Sequence, residues 1–301
     1  MVRAVGYVDG EIDWLENIRV PVTDRGFLYG DAIYEVFRTY QGKPFLYDEH
    51  YDRLLNSARL IGMNVSFSKE EILEKVKETL KKSEAKAGDE IYVRYQITRG
   101  SGPIDLNPDL ADAQRLVIII KEVPKWNPEH YQVGVRLAVP RILRNSVNNL
   151  DPNIKGGNYL NNILALTQAR EMGADDCVML DVQRNVTECS NSNFWCVIDG
   201  RFVTPALGNL VGLTRKSLVT LLSDAGLAVE ETVLHYDELK SASECFVTSA
   251  TREVMPVSEL ILEDGQRLHF PEGGGERTRQ AKELYQKMLV EFVNGNCEAL
   301  Y

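Results

Sequence analysis

A lysine followed by two glycines is the first residue in this 301-residue sequence whose setting suggests chemistry. Residues 153–159 read NIKGGNY, with Lys155 at the third position. The segment lies between a predicted strand and a predicted helix, where side chains converge on a cleft, and the glycines leave room for a flat ligand. Lysine amines form imines with aldehydes, and a neighbouring phenol such as Tyr159 makes the amine more nucleophilic. Taken alone, a lysine beside glycines is more often an ordinary surface residue.

Two turns of small residues could bind a phosphate. Residues 208–214 (GNLVGLT) precede a helix that we predict to begin at Thr214. Helix starts present clustered backbone N–H groups to anions. A second turn, TSAT, ends with Ala250 and Thr251 and follows a predicted strand. Each could be a plain helix cap or turn, but together they would form a phosphate cup.

Two charged side chains add to this set. Glu188 ends a predicted strand among small polar residues. A carboxylate facing a pyridine nitrogen keeps that nitrogen protonated, so the ring withdraws electrons from a bound substrate. The alternative for Glu188 is an exposed loop acid. Arg53, on a predicted helix, is either a phosphate clamp or a solvated arginine.

These residues lie in blocks that resemble the class IV, fold-type IV aminotransferases. The matching blocks are residues 154–162, 187–194, 212–215 and 246–257, and the resemblance spans about residues 4–260. The family includes branched-chain aminotransferases, D-amino-acid aminotransferases, (R)-selective amine transaminases and aminodeoxychorismate lyase. Because several blocks match in order and spacing, the resemblance is far more specific than any single motif.

The resemblance implies pyridoxal 5′-phosphate as the cofactor and a role for each candidate. Lys155 would be the Schiff-base lysine and proton shuttle, Glu188 the partner of the pyridine nitrogen, and Tyr159 the phenol beside the cofactor. The other implied cofactor-binding residues are Arg53, Leu213, Thr214, Ala250 and Thr251. The family usually forms homodimers, or higher homo-oligomers, in which a loop of the second subunit closes each site at the interface.

The residues expected to contact substrate resemble two branches of the family. Tyr92 and Arg94 form the Tyr-x-Arg of branched-chain enzymes, whose arginine can receive the side-chain carboxylate of glutamate, and Arg38 stands where they carry a basic residue. Tyr34 and Val36 lie on the same predicted strand as Arg38. Val36 replaces the glycine usual in branched-chain enzymes and resembles the D-amino-acid branch.

The loop that follows favours L-amino acids. Ile104 and Leu106 stand where the D-amino-acid branch places an Arg-x-His carboxylate trap. A carboxylate without donors in a closed pocket would be destabilised, although Arg99 could substitute. Arg252 departs from the family, which usually has a small residue there; it is either solvated or reaches the substrate carboxylate.

The sequence therefore favours a transaminase for branched-chain or other hydrophobic L-amino acids, with a 2-keto acid such as 2-oxoglutarate as acceptor. A D-amino-acid or (R)-amine transaminase is the alternative. An aminodeoxychorismate-type lyase and a non-catalytic cofactor-binding protein are less favoured.

The composition argues against several classes of binding partner and of site. A net charge of −10 argues against nucleic acid and anionic membranes. The five cysteines have no paired spacing and the four histidines are scattered, so we expect neither a disulfide framework nor a metal site. No leader or long apolar run is evident, and we expect a cytoplasmic protein.

The elements that position these residues indicate an α+β fold with two domains. We expect a small N-terminal α/β domain over residues 1–123, a linker over 124–133 containing PKWNP, and a larger C-terminal domain over 134–301, which the resemblance makes a pseudo-barrel that binds the cofactor. Predicted strands include residues 4–8, 31–41, 44–46, 90–98 and 115–122. Asp48 is expected to cap one helix, and Ser68 with Glu71 to form the capping box of the next.

Overall fold

The computed structural model describes residues 2–301, which divide into two compact units. Unit 1 comprises residues 2–124, Ile154–Asn158 and Glu291–Tyr301. Unit 2 comprises Lys125–Asn153 and Tyr159–Val290. The domain limits expected from the sequence stay a prediction.

Unit 1 is built on a six-stranded sheet. Its strands are β1 (Val5–Val8), β2 (Glu11–Trp14), β3 (Ala32–Tyr40), β4 (Lys43–Pro44), β5 (Ile91–Thr98) and β6 (Arg115–Glu122). They pair antiparallel in the order β2-β1-β6-β5-β3-β4. The strands predicted at 90–98 and 115–122 are present as β5 and β6, and they pair with each other. The strand expected at 44–46 is shorter and earlier, because the chain already turns into a helix there.

Helices pack on this sheet. They are α1 (Arg25–Tyr29), α2 (Tyr47–Leu60) and α3 (Lys69–Ser83). The capping box of Ser68 and Glu71 is confirmed. The prediction that Asp48 caps α2 is wrong: the cap is Leu46, with φ of 54° and no side-chain hydrogen bond, and Asp48 lies in the first turn. A carboxylate there still interacts favourably with the helix dipole.

Unit 2 contains the other strands and helices. The strands are β7 (Val135–Ala138), β8 (Asp176–Leu180), β9 (Val186–Cys189), β10 (Asn193–Ile198), β11 (Arg201–Pro205), β12 (Val229–Thr232), β13 (Glu244–Ser249), β14 (Glu253–Ile261) and β15 (Arg267–His269). The helices are α4 (Glu129–Gln132), α5 (Leu160–Glu171), α6 (Leu213–Asp224) and α7 (Glu276–Asn294), whose last residues belong to unit 1. The helix expected to begin at Thr214 thus begins one residue earlier.

The strands of unit 2 form a nine-stranded mixed sheet in the order β12-β11-β10-β13-β14-β7-β8-β9, with β15 beside β14. Strand β14 was not predicted from the sequence, because Pro256 interrupts its apolar run and proline is disfavoured inside a sheet. Pro256 nevertheless lies in register opposite Phe246. Two separate sheets with flanking helices confirm the predicted α+β class.

The interior of unit 2 contains four core cysteines, Cys177, Cys189, Cys196 and Cys245, all buried and free. Burial raises the pKa of the Cys196 thiol to about 12. Cys297 is partly exposed. Within residues 2–301, no helix combines the length and apolar character needed to cross a bilayer.

Candidate active site

Lys155 is held by its backbone on both sides. Its N–H donates to Ser57 Oγ of α2 at 3.1 Å, and its carbonyl oxygen accepts the N–H of Tyr34 on β3 at 2.8 Å. The next residue, Gly156, forms a bridge with Ile33. The backbone is therefore fixed while the side chain extends, and Nζ lies 4.7 Å from the centre of the Tyr34 ring.

Five of the seven residues predicted to contact substrate share one face of the unit 1 sheet. Val36 lies opposite Arg94, and Arg38 opposite Tyr92, across β3 and β5. Tyr34 is two residues from Val36 and so has the same orientation, because side chains alternate along a strand. The Arg94 guanidinium carbon lies 3.5 Å from the centre of the Tyr34 ring. The amine of Lys155 thus approaches the face on which these five residues lie.

Electrostatics on this face favour anionic ligands. Arg94 donates to Gln96 Oε1 at 2.7 Å, and the Arg38 guanidinium carbon lies 4.2 Å from the Tyr40 ring centre. Burial raises the pKa of Tyr92 despite the opposing effect of Arg94, so its phenol stays protonated at neutral pH. Two cations and a neutral phenol form a surface that can accept a carboxylate.

A buried charge cluster lies on the opposite face of β3. Glu35 is fully buried and accepts from Arg53 Nε at 2.6 Å and Nη2 at 2.7 Å, and it contacts His50 Nδ1 at 2.7 Å. Burial alone would raise the pKa of Glu35, but Arg53 and His50 outweigh it and hold that pKa well below its ordinary value. Arg53 is therefore fixed by an ion pair and is not a freely solvated arginine.

Arg99 is engaged within unit 1. Its Nε donates to both carboxylate oxygens of Asp31 at 2.8 and 3.0 Å, and its Nη atoms reach the carbonyl oxygens of Ile61 and Gly62. Asp31 also accepts from Arg25 at 2.9 Å. These contacts bind the guanidinium to its own unit.

In unit 2, Glu188 lies on β9 and is 6% exposed. Its carboxylate accepts from Arg144 Nη2 at 2.7 Å and from the Leu210 N–H at 3.2 Å. Arg144 also donates to Asn162 Oδ1 at 3.1 Å. Arg144 was not predicted from the sequence, because it lies in a loop with no local pattern, and the cation that faces Glu188 comes from 44 residues away. Tyr159 immediately precedes α5 and is partly buried.

The start of α6 offers unused backbone donors. Gly212 is its N-cap and makes no side-chain capping bond, and Leu213 and Thr214 are the first helical residues. The N–H groups of a first turn have no partner inside the helix. A Cβ on Gly212 would lie 2.0 Å from Asn193 Oδ1, so only glycine fits this turn without displacing Asn193.

Ala250 and Thr251 form the turn between β13 and β14. The Trp126 indole N–H donates to the Thr251 carbonyl oxygen at 3.0 Å. Arg252 is 7% exposed, and its Nη1 donates to Asp176 Oδ2 at 2.7 Å and lies 3.3 Å from Ser192 Oγ. The interpretation of Arg252 as a solvated arginine is therefore wrong.

The chain thus has a lysine with a fixed backbone, an acid paired with arginine and an uncapped helix start, and comparisons with known proteins identify its family. The model of "Amino-transferase class IV" matches residues 32–260. The chain belongs to the class IV aminotransferases.

Relatives come from both branches of the family. A "Putative branched-chain-amino-acid aminotransferase" of Methanocaldococcus jannaschii is 32% identical over 95% of this chain and 96% of its own. A "D-alanine aminotransferase" of Listeria monocytogenes is 33% identical over 92% of each chain. The solved branched-chain amino acid aminotransferase of Escherichia coli has a TM-score of 0.85 at 26% identity, over 95% of this chain and 94% of its own. These matches confirm the predicted family and fold.

The residues present fit the pyridoxal 5′-phosphate that class IV aminotransferases use. The Lys155 side chain has the primary amine that an aldehyde requires. The uncapped N–H groups of Leu213 and Thr214 suit a phosphate. Glu188, ionically paired with Arg144, is a carboxylate of the kind that suits the ring nitrogen.

Proposed function

We propose that this class IV aminotransferase moves the amino group of hydrophobic L-amino acids, branched-chain ones above all, to a 2-keto acid such as 2-oxoglutarate. The observation that supports it best is the shared face of β3 and β5. Lys155 Nζ lies 4.7 Å from the ring of Tyr34, and Arg94 covers the same ring at 3.5 Å. An amine that moves protons is thus beside cations that can hold an acceptor carboxylate.

The candidate residues have distinct roles in this proposal. Bound pyridoxal phosphate supplies an electron sink for the carbon that carries the amino group. Lys155 would hold the cofactor aldehyde, and its free Nζ would take the proton from the carbon that carries the amino group and deliver it to the cofactor carbon that receives the nitrogen. Glu188 keeps the ring nitrogen protonated, and Arg144 keeps Glu188 in place.

The remaining groups bind and orient. We propose that the phosphate is held by the Leu213 and Thr214 N–H groups, by Ala250 and Thr251, and by Arg53. Tyr159 would contact the phenolic oxygen of the cofactor, and Leu213 would pack on its ring. Roles for Arg99 and Arg252 toward the substrate carboxylate stay predictions, and their guanidinium groups already have the carboxylates of Asp31 and Asp176.

The proposed preference for L-amino acids rests on the loop that contains Ile104 and Leu106, where donor side chains for a carboxylate are missing. Ile104 and Leu106 are 82% and 76% exposed and carry no donor side chain. Arg99 does not replace the missing donors freely, because Asp31 and two carbonyl oxygens hold its guanidinium. Val36 and the relatives named D-alanine aminotransferase favour the alternative D-specific enzyme, so the test must compare both enantiomers.

The test adds L-leucine, D-alanine and (R)-1-phenylethylamine separately to the purified enzyme, without acceptor, and follows the visible absorbance of the bound cofactor. Loss of the visible band with L-leucine alone is expected. Loss with D-alanine or the amine alone would overturn the substrate assignment. Lys155→Ala should abolish the response, whereas Lys81→Ala, an exposed lysine of α3, should retain it.

We also propose a homodimer and a cytoplasmic location. The exposed apolar residues of α5, Leu160, Ile163 and Leu164, support a self-association surface. The free core cysteines support a reducing compartment. Sedimentation at micromolar concentration checks the first, and a monomer there would contradict it.

A further inference from the structure

Unit 2 has a pocket whose lining contains three arginines, and none of the residues assigned above to cofactor or proton transfer lines it. Its volume is about 410 Å³, and its charged and aromatic walls are formed by Arg136, Arg170, Arg252, His130 and Trp126. Cavities of this size hold small organic molecules.

The lining of the pocket has one more arginine than it has carboxylates. Asp175 pairs with Arg136, and Asp176 with Arg252, so each of the two lining acids is already neutralised. Arg170, in the last turn of α5, has no ion pair or side-chain hydrogen bond within residues 2–301. The pocket can therefore accept one negative charge without leaving an acid unpaired.

Two buried nitrogens of the lining also lack a partner among the residues described. They are Nε of Arg252 and Nδ1 of His130. Only 7% of Arg252 is exposed, and buried donors normally have a hydrogen-bond partner. The rest of the wall is apolar, with Val135, Ala174 and Met255.

We infer that this pocket is a second ligand site, which binds a small organic monocarboxylate with an apolar body. The carboxylate pairs with Arg170 and meets the polar wall of Arg252 and His130. The apolar body lies against Val135 and Met255. The inference involves neither Lys155 nor the face of β3 and β5. Of the residues predicted to contact substrate it shares only Arg252, whose Nη1 already donates to Asp176.

The test uses the holoenzyme and cyclohexanecarboxylate, which has neither an amino nor a keto group and cannot be transaminated. Isothermal titration gives the affinity, and cofactor absorbance identifies any binding at the catalytic residues. We expect binding that leaves the absorbance unchanged and is weakened about tenfold or more by Arg170→Met, as expected for loss of a charge-assisted contact.

The matched control is Arg59→Met. Arg59 is also an exposed arginine in the last turn of a helix, α2, but lies in unit 1. Equal affinity of Arg170→Met and wild type would overturn the inference, as would equal weakening in both variants. Binding of inorganic phosphate, but not of cyclohexanecarboxylate, would also overturn it, since the pocket would then select only charge.

Discussion

Burial, more than distance, should decide what an ion pair contributes here. The Glu35–Arg53 and Glu230–Arg201 pairs both have N–O distances of 2.6 Å. Glu35 is fully buried beside a 13% exposed Arg53, whereas the other two side chains are 43% and 42% exposed. Glu35→Gln and Glu230→Gln therefore make the same chemical change in opposite environments.

We expect Glu35→Gln to lower the free energy of unfolding by about 3–5 kcal/mol, because it leaves Arg53 buried without its counter-charge. Glu230→Gln should cost at most about 1 kcal/mol, since water screens an exposed pair. The first loss is large against the roughly 5–15 kcal/mol that stabilise a folded domain. Urea titrations followed by circular dichroism measure both. Equal losses in the two variants would refute the reasoning.

The pH dependence gives the same prediction a second test. The folded pKa of Glu35 is depressed, so its contribution is complete above the unfolded value of about 4.3 and is lost as pH falls toward the folded pKa. The pKa of His50 is also lowered, but there the cause is burial, which outweighs the attraction of Glu35. The gap between wild type and Glu35→Gln should therefore narrow below about pH 4. A constant gap down to about pH 2 would contradict the assigned charge state.

Three further predictions concern the lysine, the acid and the cysteines. Ser57→Ala removes the acceptor of the Lys155 N–H, at a local cost of about 1–3 kcal/mol, and should speed cofactor loss during dialysis. Arg144→Gln leaves Glu188 without its cation and should lower kcat about tenfold to a hundredfold, with the visible absorbance of the cofactor shifted; an unchanged spectrum and rate would contradict this. Native alkylation followed by peptide mass spectrometry should label Cys297 before any core cysteine.

Local patterns predicted what local physics decides. The strand predicted at 31–41 and the capping box at Ser68 depend on neighbours within a few positions, and both are present. The common orientation of Tyr34, Val36 and Arg38 also follows locally, because side chains alternate along a strand. The prediction that Asp48 caps α2 failed because a carboxylate is favourable both at the N-cap and in the first turn of a helix.

Pairings between distant residues were out of reach. Glu35 is 18 residues from Arg53, and Arg252 is 76 from Asp176, so no spacing rule connects them. Each of these charges looks ordinary in the sequence. Only packing shows that they are buried and must be neutralised.

The same physics separates two uses of arginine in this chain. Arg53, Arg144 and Arg252 each face a buried carboxylate, so each has its orientation set before any ligand arrives. Ligand binding then loses little free energy in ordering those side chains. Arg170 is exposed and unpaired within residues 2–301, so its side chain must be ordered by the ligand that it binds. Because salt screens exposed charges, the contribution of Arg170 to ligand affinity should fall steeply as the salt concentration rises.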